Sequence, residues 1–344
     1  MSCKKLSRRY LHLVSSAGRG MYALSRMDAS RLFYPSKEEA RTAQATARAS
    51  NGSKTPGGLG STGRLPEPSI HYEPFSSAIS YHNRSRDVFA LFGKSSILCS
   101  DSVGYTSIYN TETFSFQGMP RMNSPKGPKR ITVCIPRTEA HARSDFEISP
   151  NVDSSEDFCT VEGQSGLFPN VCPSNHMNSL YVMDMDPYNH CNFEALVYYP
   201  IRHWRWRRLP SPGFFGSPSY LARDNAPFAV VDGSKICISD DDATYYFDTV
   251  AIEWRKAGDW VLPFRGKAQY VSELGMWLGF SAQRPYNLCS MDLSGVTAGS
   301  CDTQQPMAQD VGKDQDVDFD LPGGYSLKNA TLVNMGLGRF CRDI

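Results

Sequence analysis

The feature that most constrains this chain is a spaced aromatic frame that occurs three times. The stretch Tyr199–Pro210, YPIRHWRWRRLP, opens on an aromatic, reaches Trp206 seven residues later and closes on Leu209-Pro210. Tyr109 and Phe116 repeat the spacing ahead of Met119-Pro120, and Phe247 and Trp254 repeat it ahead of Leu262-Pro263. A strand, a tight turn rich in Pro, Asp or Thr, and a second strand ending near proline produce this arrangement. A chain that repeats such a hairpin is predicted to be all-β.

Short apolar runs bounded by turn residues fill the space around each frame. The first unit, 69–130, holds strand candidates Val88–Phe92, Ser96–Cys99, Thr106–Tyr109 and Phe114–Phe116. The second, 131–210, holds Ile131–Ile135, Ser179–Met183, Phe193–Tyr199 and His203–Arg207. A third runs through Ala226–Val231, Lys235–Ser239, Thr244–Phe247 and Ile252–Trp254. The fourth has Ala268–Ser272, Met276–Phe280 and Asn287–Met291, followed by an acidic connection over 297–324 and a last strand from Ala330 to Met335. The frame recurs 48 residues on from 199 to 247, and a matching region near Cys289 follows after 42. Periods in this range belong to propeller blades, which bury their faces only against neighbouring blades. The predicted architecture is one β-propeller domain over 1–344, with about five or six blades. Residues 10–28 are expected to pair with 330–341 and complete the final blade, while the early end after Phe340-Cys341 points to incomplete closure at the C-terminus.

Two segments break the pattern. Residues 31–68 read as an insertion or linker, with Ser36-Lys-Glu-Glu39 as a helix-capping box, an alanine-rich helix to Ala49 and a Gly/Ser/Thr tract over 51–63. The Ser-, Asn- and acid-rich stretch 137–178 reads as a disordered loop insertion inside the second unit.

Charge argues against a dedicated nucleic-acid binder: 36 Lys+Arg stand against 35 Asp+Glu. No run of 18 apolar residues exists, so no membrane span is expected. The ten cysteines are scattered without a CxxC pair, and several sit inside apolar strand candidates, as in Ile97-Leu-Cys99 and Ile236-Cys-Ile238. They are expected to be reduced, buried and intracellular. The basic N-terminus, with no acid before Asp28, has the charge pattern of an organelle transit peptide. Tyr10–Val14 and Met21–Leu24 nevertheless read as two strands joined by a turn, so the protein is expected in the cytoplasm or nucleus.

The order Tyr109…Phe116…Pro120, Tyr199…Trp206…Pro210 and Phe247-Asp248-Thr249…Trp254…Pro263 resembles kelch repeats. Single glycines at Gly93 and Gly233 stand where kelch repeats carry a Gly-Gly doublet. With its opening Arg9-Tyr-Leu-His-Leu-Val14 and Ser100-Asp-Ser-Val-Gly104, the chain from about 8 to 341 resembles an uncharacterised kelch-like plant family expanded in grasses, a domain of unknown function. The resemblance implies a propeller. Related plant kelch proteins often carry an N-terminal F-box; the sequence given reads as starting in a strand, so no such module is expected in it.

No motif supplies catalytic, cofactor or metal residues. Asp314, Asp316, Asp318 and Asp320 imitate the start of a calcium loop but lack its glycine and final glutamate. Asp240-Asp-Asp242 reads as a turn, and His190-Cys191 with Asp184 and Asp186 lacks ligand spacing. The Arg202–Arg208 strand puts Trp204 and Trp206 on one face and Arg205 and Arg207 on the other, and packing is the expected use of the indoles. The expected function is therefore a non-enzymatic protein-interaction scaffold that uses its rim loops. The rivals are an enzyme with its active site in the central channel and a nucleic-acid surface around Arg202–Arg208.

Overall fold

A computed structural model describes residues 9–18, 20–29, 66–75, 87–141, 177–199, 203–217, 220–283, 286–297, 307–310, 331–336 and 339–343, with seven positions between 34 and 45. The fold is a β-propeller of five blades. Blade I holds β1 (Tyr10–Gly18), β2 (Met21–Asp28) and β3 (Pro68–Tyr72). Blade II is β4 (Val88–Phe92), β5 (Ser96–Ser100), β6 (Thr106–Asn110) and β7 (Ser115–Met119). Blade III is β8 (Arg130–Pro136), β9 (Asn178–Asp184), β10 (Phe193–Tyr199) and β11 (His203–Arg208). Blade IV is β12 (Phe228–Val231), β13 (Lys235–Ser239), β14 (Thr244–Asp248) and β15 (Glu253–Gly258). Blade V is β16 (Gln269–Val271), β17 (Met276–Phe280), β18 (Leu288–Met291) and β19 (Ala308–Asp310). A hairpin of β20 (Thr331–Gly336) and β21 (Arg339–Asp343) follows.

Each four-stranded blade runs antiparallel in sequence order, from an inner strand to an outer one. Side chains alternate across each strand, so one residue faces the preceding blade and the next faces the following blade. In β13, Ile236 and Ile238 join the apolar layer shared with blade III, whereas Cys237 joins the layer shared with blade V. In β9, Leu180 and Val182 face blade II while Tyr181 and Met183 face blade IV. Phe247 is fully buried between Phe193 and Trp254. Burying a side chain of this kind contributes about 1.5–3 kcal/mol, so the blade interfaces hold the ring together.

The repeated frame has a physical basis. Tyr109 pairs directly across strands with Phe116, and Phe247 with Trp254. In the turns that follow, Asn110 and Asp248 accept backbone N–H bonds through Oδ1, and Thr111 and Thr249 donate to the carbonyls of Ser95 and Ser234. Blade III departs from the expected spacing. There the β10–β11 hairpin is tighter, Tyr199 pairs with His203, and Trp206 pairs with Leu196. Leu196 therefore takes the place of Tyr109 and Phe247, and the seven-residue interval from Tyr199 to Trp206 is coincidental.

Two further expectations need correction. Residues 10–28 pair with β3 and not with 330–341, because Ile70 and Tyr72 of β3 join Leu24 against Ile97, Cys99 and Tyr109 of blade II. The β20–β21 hairpin instead packs on blade V, with Leu332 among Val271, Leu278 and Phe280. The acidic connection after Met291 also contains a strand, since β19 pairs with β18 as the outer strand of blade V.

Within the 31–68 insertion, Ser36 Oγ accepts the Glu39 N–H at 3.1 Å, as a helix cap requires. The Gly-rich tract 51–63, positions 142–176 of the loop and the Asp314–Asp320 series lie outside the described residues.

Candidate functional site

The propeller has two rims. At the upper rim the inner strands begin, and it carries the turns between second and third strands with the connections between blades. At the lower rim the inner strands end.

Upper-rim turns are built by aspartates. Asp101 is buried, and its Oδ1 accepts the N–H groups of Val103 (3.0 Å) and Tyr105 (2.9 Å). This bend turns Tyr105 outward at 45% exposure, against Phe75, which is 77% exposed. Their ring centroids lie 5.1 Å apart, and the Arg121 guanidinium covers Tyr105 at 4.9 Å. Arg121 is itself fixed, donating from Nε and a terminal nitrogen to the Val103 carbonyl at 3.1 and 2.9 Å. On blade III, Asp186 Oδ1 accepts the Tyr188 N–H at 3.0 Å, and Tyr188 stands 93% exposed. Leu221, on the connection to blade IV, is 73% exposed, and on blade V Arg265 covers Tyr286 at 4.8 Å. Asp240 makes the corresponding turn on blade IV, accepting from Asp242 and Ala243 at 2.9 and 2.7 Å.

Beneath these side chains lies a buried polar network that the sequence did not announce. Lys126, from the Pro-rich connection between blades II and III, is fully buried and paired with the equally buried Glu194 of β10. Its ammonium also donates to the carbonyls of Ser124 and Cys191, both at 2.8 Å. Glu194 Oε2 accepts the backbone and side-chain N–H groups of Asn123 at 3.0 and 2.8 Å. Asp184 accepts from Gly127, Asp186 and Asn189, and Asn189 donates on to the Pro125 carbonyl. Every charge here is met by donors or acceptors, as burial demands. The network clamps the 123–127 connection to the loop that carries Tyr188. A lysine in a Pro- and Gly-rich connection gives no periodic signal of burial, which is why it was missed.

The inner strands of blades IV and V are bonded directly to each other. Phe228 N–H donates to the Gly266 carbonyl (3.0 Å), and Ala268 N–H to that of Phe228 (2.8 Å). A cavity of about 570 Å³ lies at the ends of β8 and β12 and alongside β16, and reaches Gly275 in the β16–β17 turn on the lower rim. Asp232 is the one carboxylate among its lining residues, which include no histidine.

His141 fastens the start of the 142–176 segment to blade IV. Its Nδ1 accepts the Thr138 N–H at 3.1 Å, so Nε2 carries the proton and donates to Thr249 Oγ1 at 2.9 Å. Asp184, Asp186, His190 and Cys191 do not converge, since Asp184 is buried on backbone donors and His190 points outward. Among the described residues no three His, Cys, Asp or Glu are grouped to hold a metal ion. On β11, Trp204 and Trp206 are buried against blade II while Arg205 and Arg208 are exposed. That strand offers cations but no free ring for base stacking. Among the described residues no helix is long and apolar enough to cross a membrane.

A family model described as "Protein of unknown function (DUF1668)" matches residues 8–342. No curated protein matches the chain. Among solved structures, the WD40 domain of SCAP from fission yeast is similar at 9% identity and TM-score 0.34, over 72% of this chain and 57% of that one. The N-terminal domain of Nup159 is similar at 12% identity and TM-score 0.30, over 86% and 53%. The extracellular domain of a putative one component system from B. thetaiotaomicron is similar at 12% and 0.32, over 65% and 21%. The chain thus spans at most 57% of the length of these three structures.

Proposed function

The chain belongs to the DUF1668 family, and we propose that it is a non-enzymatic scaffold that docks protein partners on its upper rim. The observation that carries this reading is the set Phe75, Tyr105, Arg121 and Tyr188. Tyr105, Arg121 and Tyr188 are held outward by hydrogen-bonded turns above a buried network, and Phe75 packs on Tyr105. Tyrosine and arginine dominate the energetics of protein interfaces, and pre-set loops bind with less ordering cost. The reading treats 1–344 as one propeller domain with kelch-like blades. The shared Asx-turn and threonine bonds of blades II and IV support the kelch likeness, while plant origin rests on the sequence resemblance alone. Free cysteines buried between blades favour a reducing, intracellular setting.

The test is affinity purification of tagged protein with mass spectrometry, comparing wild type with a Phe75→Ala/Tyr105→Ala/Tyr188→Ala variant of unchanged thermal stability. A stoichiometric partner that is lost in the variant supports the scaffold. Absence of any protein partner, or retention only of RNA-dependent ones, contradicts it.

A further inference from the structure

The lower mouth of the channel has the makings of a small-molecule site. Its volume of about 570 Å³ falls within the range of ligand pockets, and three blades contribute the walls through Ile135, Val230 and Ala268. Tyr270 is 50% exposed and leans on Trp277 at 4.7 Å. The Trp277 indole N–H already donates to the Val230 carbonyl at 2.8 Å, so this pair offers an apolar ring surface. Asp232 supplies the polar side. Its Oδ2 accepts from Thr297 Oγ1 at 2.5 Å and Lys235 Nζ at 3.1 Å. The Thr297 hydroxyl and Lys235 hold the carboxyl below its usual range, so it is ionised. Among the described residues the other oxygen, Oδ1, has no protein hydrogen bond, and the side chain is 48% exposed.

These features select a ligand class. Lys235 already compensates the charge of Asp232, so the site does not call for a cation. An anion brings only acceptors to Oδ1, which itself can only accept, and Lys267 in the lining disfavours a second positive charge. A wholly apolar ligand would desolvate Asp232 without replacing its water. What remains is a neutral molecule with hydroxyl donors for Oδ1 and a C–H face for Tyr270. We propose that the lower mouth of the channel binds a neutral polyhydroxylated ligand of sugar size, with Asp232 and Tyr270 as its contacts. This site shares no lining residue with the docking set Phe75, Tyr105, Arg121 and Tyr188, so its test is independent of upper-rim docking.

Saturation-transfer NMR on the full chain tests it, using D-glucose, D-galactose, myo-inositol and maltose, with choline and glycine as charged probes. At least one polyol is expected to bind saturably at about 10 mM or below, and about tenfold more weakly to Asp232→Asn and Tyr270→Ala. Asp232 has φ +51°, a conformation that asparagine tolerates, so the first variant is expected to fold. No saturable polyol, binding by both variants as tight as by the wild type, or binding of choline or glycine in place of the polyols overturns the proposal.

Discussion

The indole N–H of Trp254 in blade IV donates to the carbonyl of Pro210, 2.8 Å away at the end of blade III. Trp206 makes the same bond to Pro120, one blade earlier, at 2.8 Å. The tryptophan of one frame is thus pinned to the proline of the preceding frame, which explains why the two residue types travel together in the sequence. Trp254→Phe and Trp206→Phe keep an aromatic ring and remove the donor. Each is expected to cost about 1 kcal/mol in urea denaturation, whereas Trp206→Ala opens the interface with blade II and costs about 3–5 kcal/mol. Equal losses for Trp206→Phe and Trp206→Ala would contradict this division.

Lys126 and Glu194 depend on each other. Lys126→Met leaves a buried carboxylate facing only Asn123 and is expected to cost about 3–5 kcal/mol. The double change Lys126→Met/Glu194→Gln should recover much of that loss, with a coupling of about 1–3 kcal/mol in a double-mutant cycle. Strict additivity would mean that the pair does not organise the connection.

Asp87 gives the fold a pH dependence of definite sign. Burial raises its carboxyl above the usual range, partly offset by the Tyr22 hydroxyl that donates to Oδ2 at 2.7 Å. The folded protein therefore holds this proton more tightly than the unfolded chain. The associated stability is full below the unfolded pKa and lost as pH rises through the folded one. Asp87→Asn is expected to raise Tm by about 2–4 °C at pH 7, with the gain shrinking as pH is lowered. A gain that grows on acidification would reverse the assignment.

Burial pushes the thiols of Cys99, Cys237 and Cys289 up to about 12. At pH 8 the thiolate fraction is on the order of 10⁻⁴, so these residues should resist iodoacetamide in the folded protein and react once it is denatured. Peptide mass spectrometry checks each site, and rapid native labelling of any of the three would contradict the burial.

The strands of blades II to IV were legible because their alternation is strong. Ile236, Cys237 and Ile238 read as strand from their apolar run, and each meets a neighbouring blade. β19 was not legible, since Ala308, Gln309 and Asp310 are all exposed and carry no hydrophobic period. The placing of β3 beside β2 was likewise hidden, because pairing partners far apart in sequence leave no local trace. Register in blade III was misread for a related reason: hairpin length, which fixes register, is not encoded in aromatic spacing. The upper-rim turns at Asp101 and Asp240 were readable as turns. The role of Asp101 in holding Tyr105 outward needed Phe75, 30 residues away, and Arg121.

The most direct measurement for the scaffold reading is the dissociation constant of a purified partner for four proteins: wild type, Tyr105→Ala, Tyr188→Ala and Tyr270→Ala. Isothermal titration should show losses of about 30-fold or more for the two upper-rim variants, as for interface hot spots, and no change for the lower-mouth variant. Unchanged binding by both Tyr105→Ala and Tyr188→Ala, or a loss confined to Tyr270→Ala, would contradict docking on the upper rim.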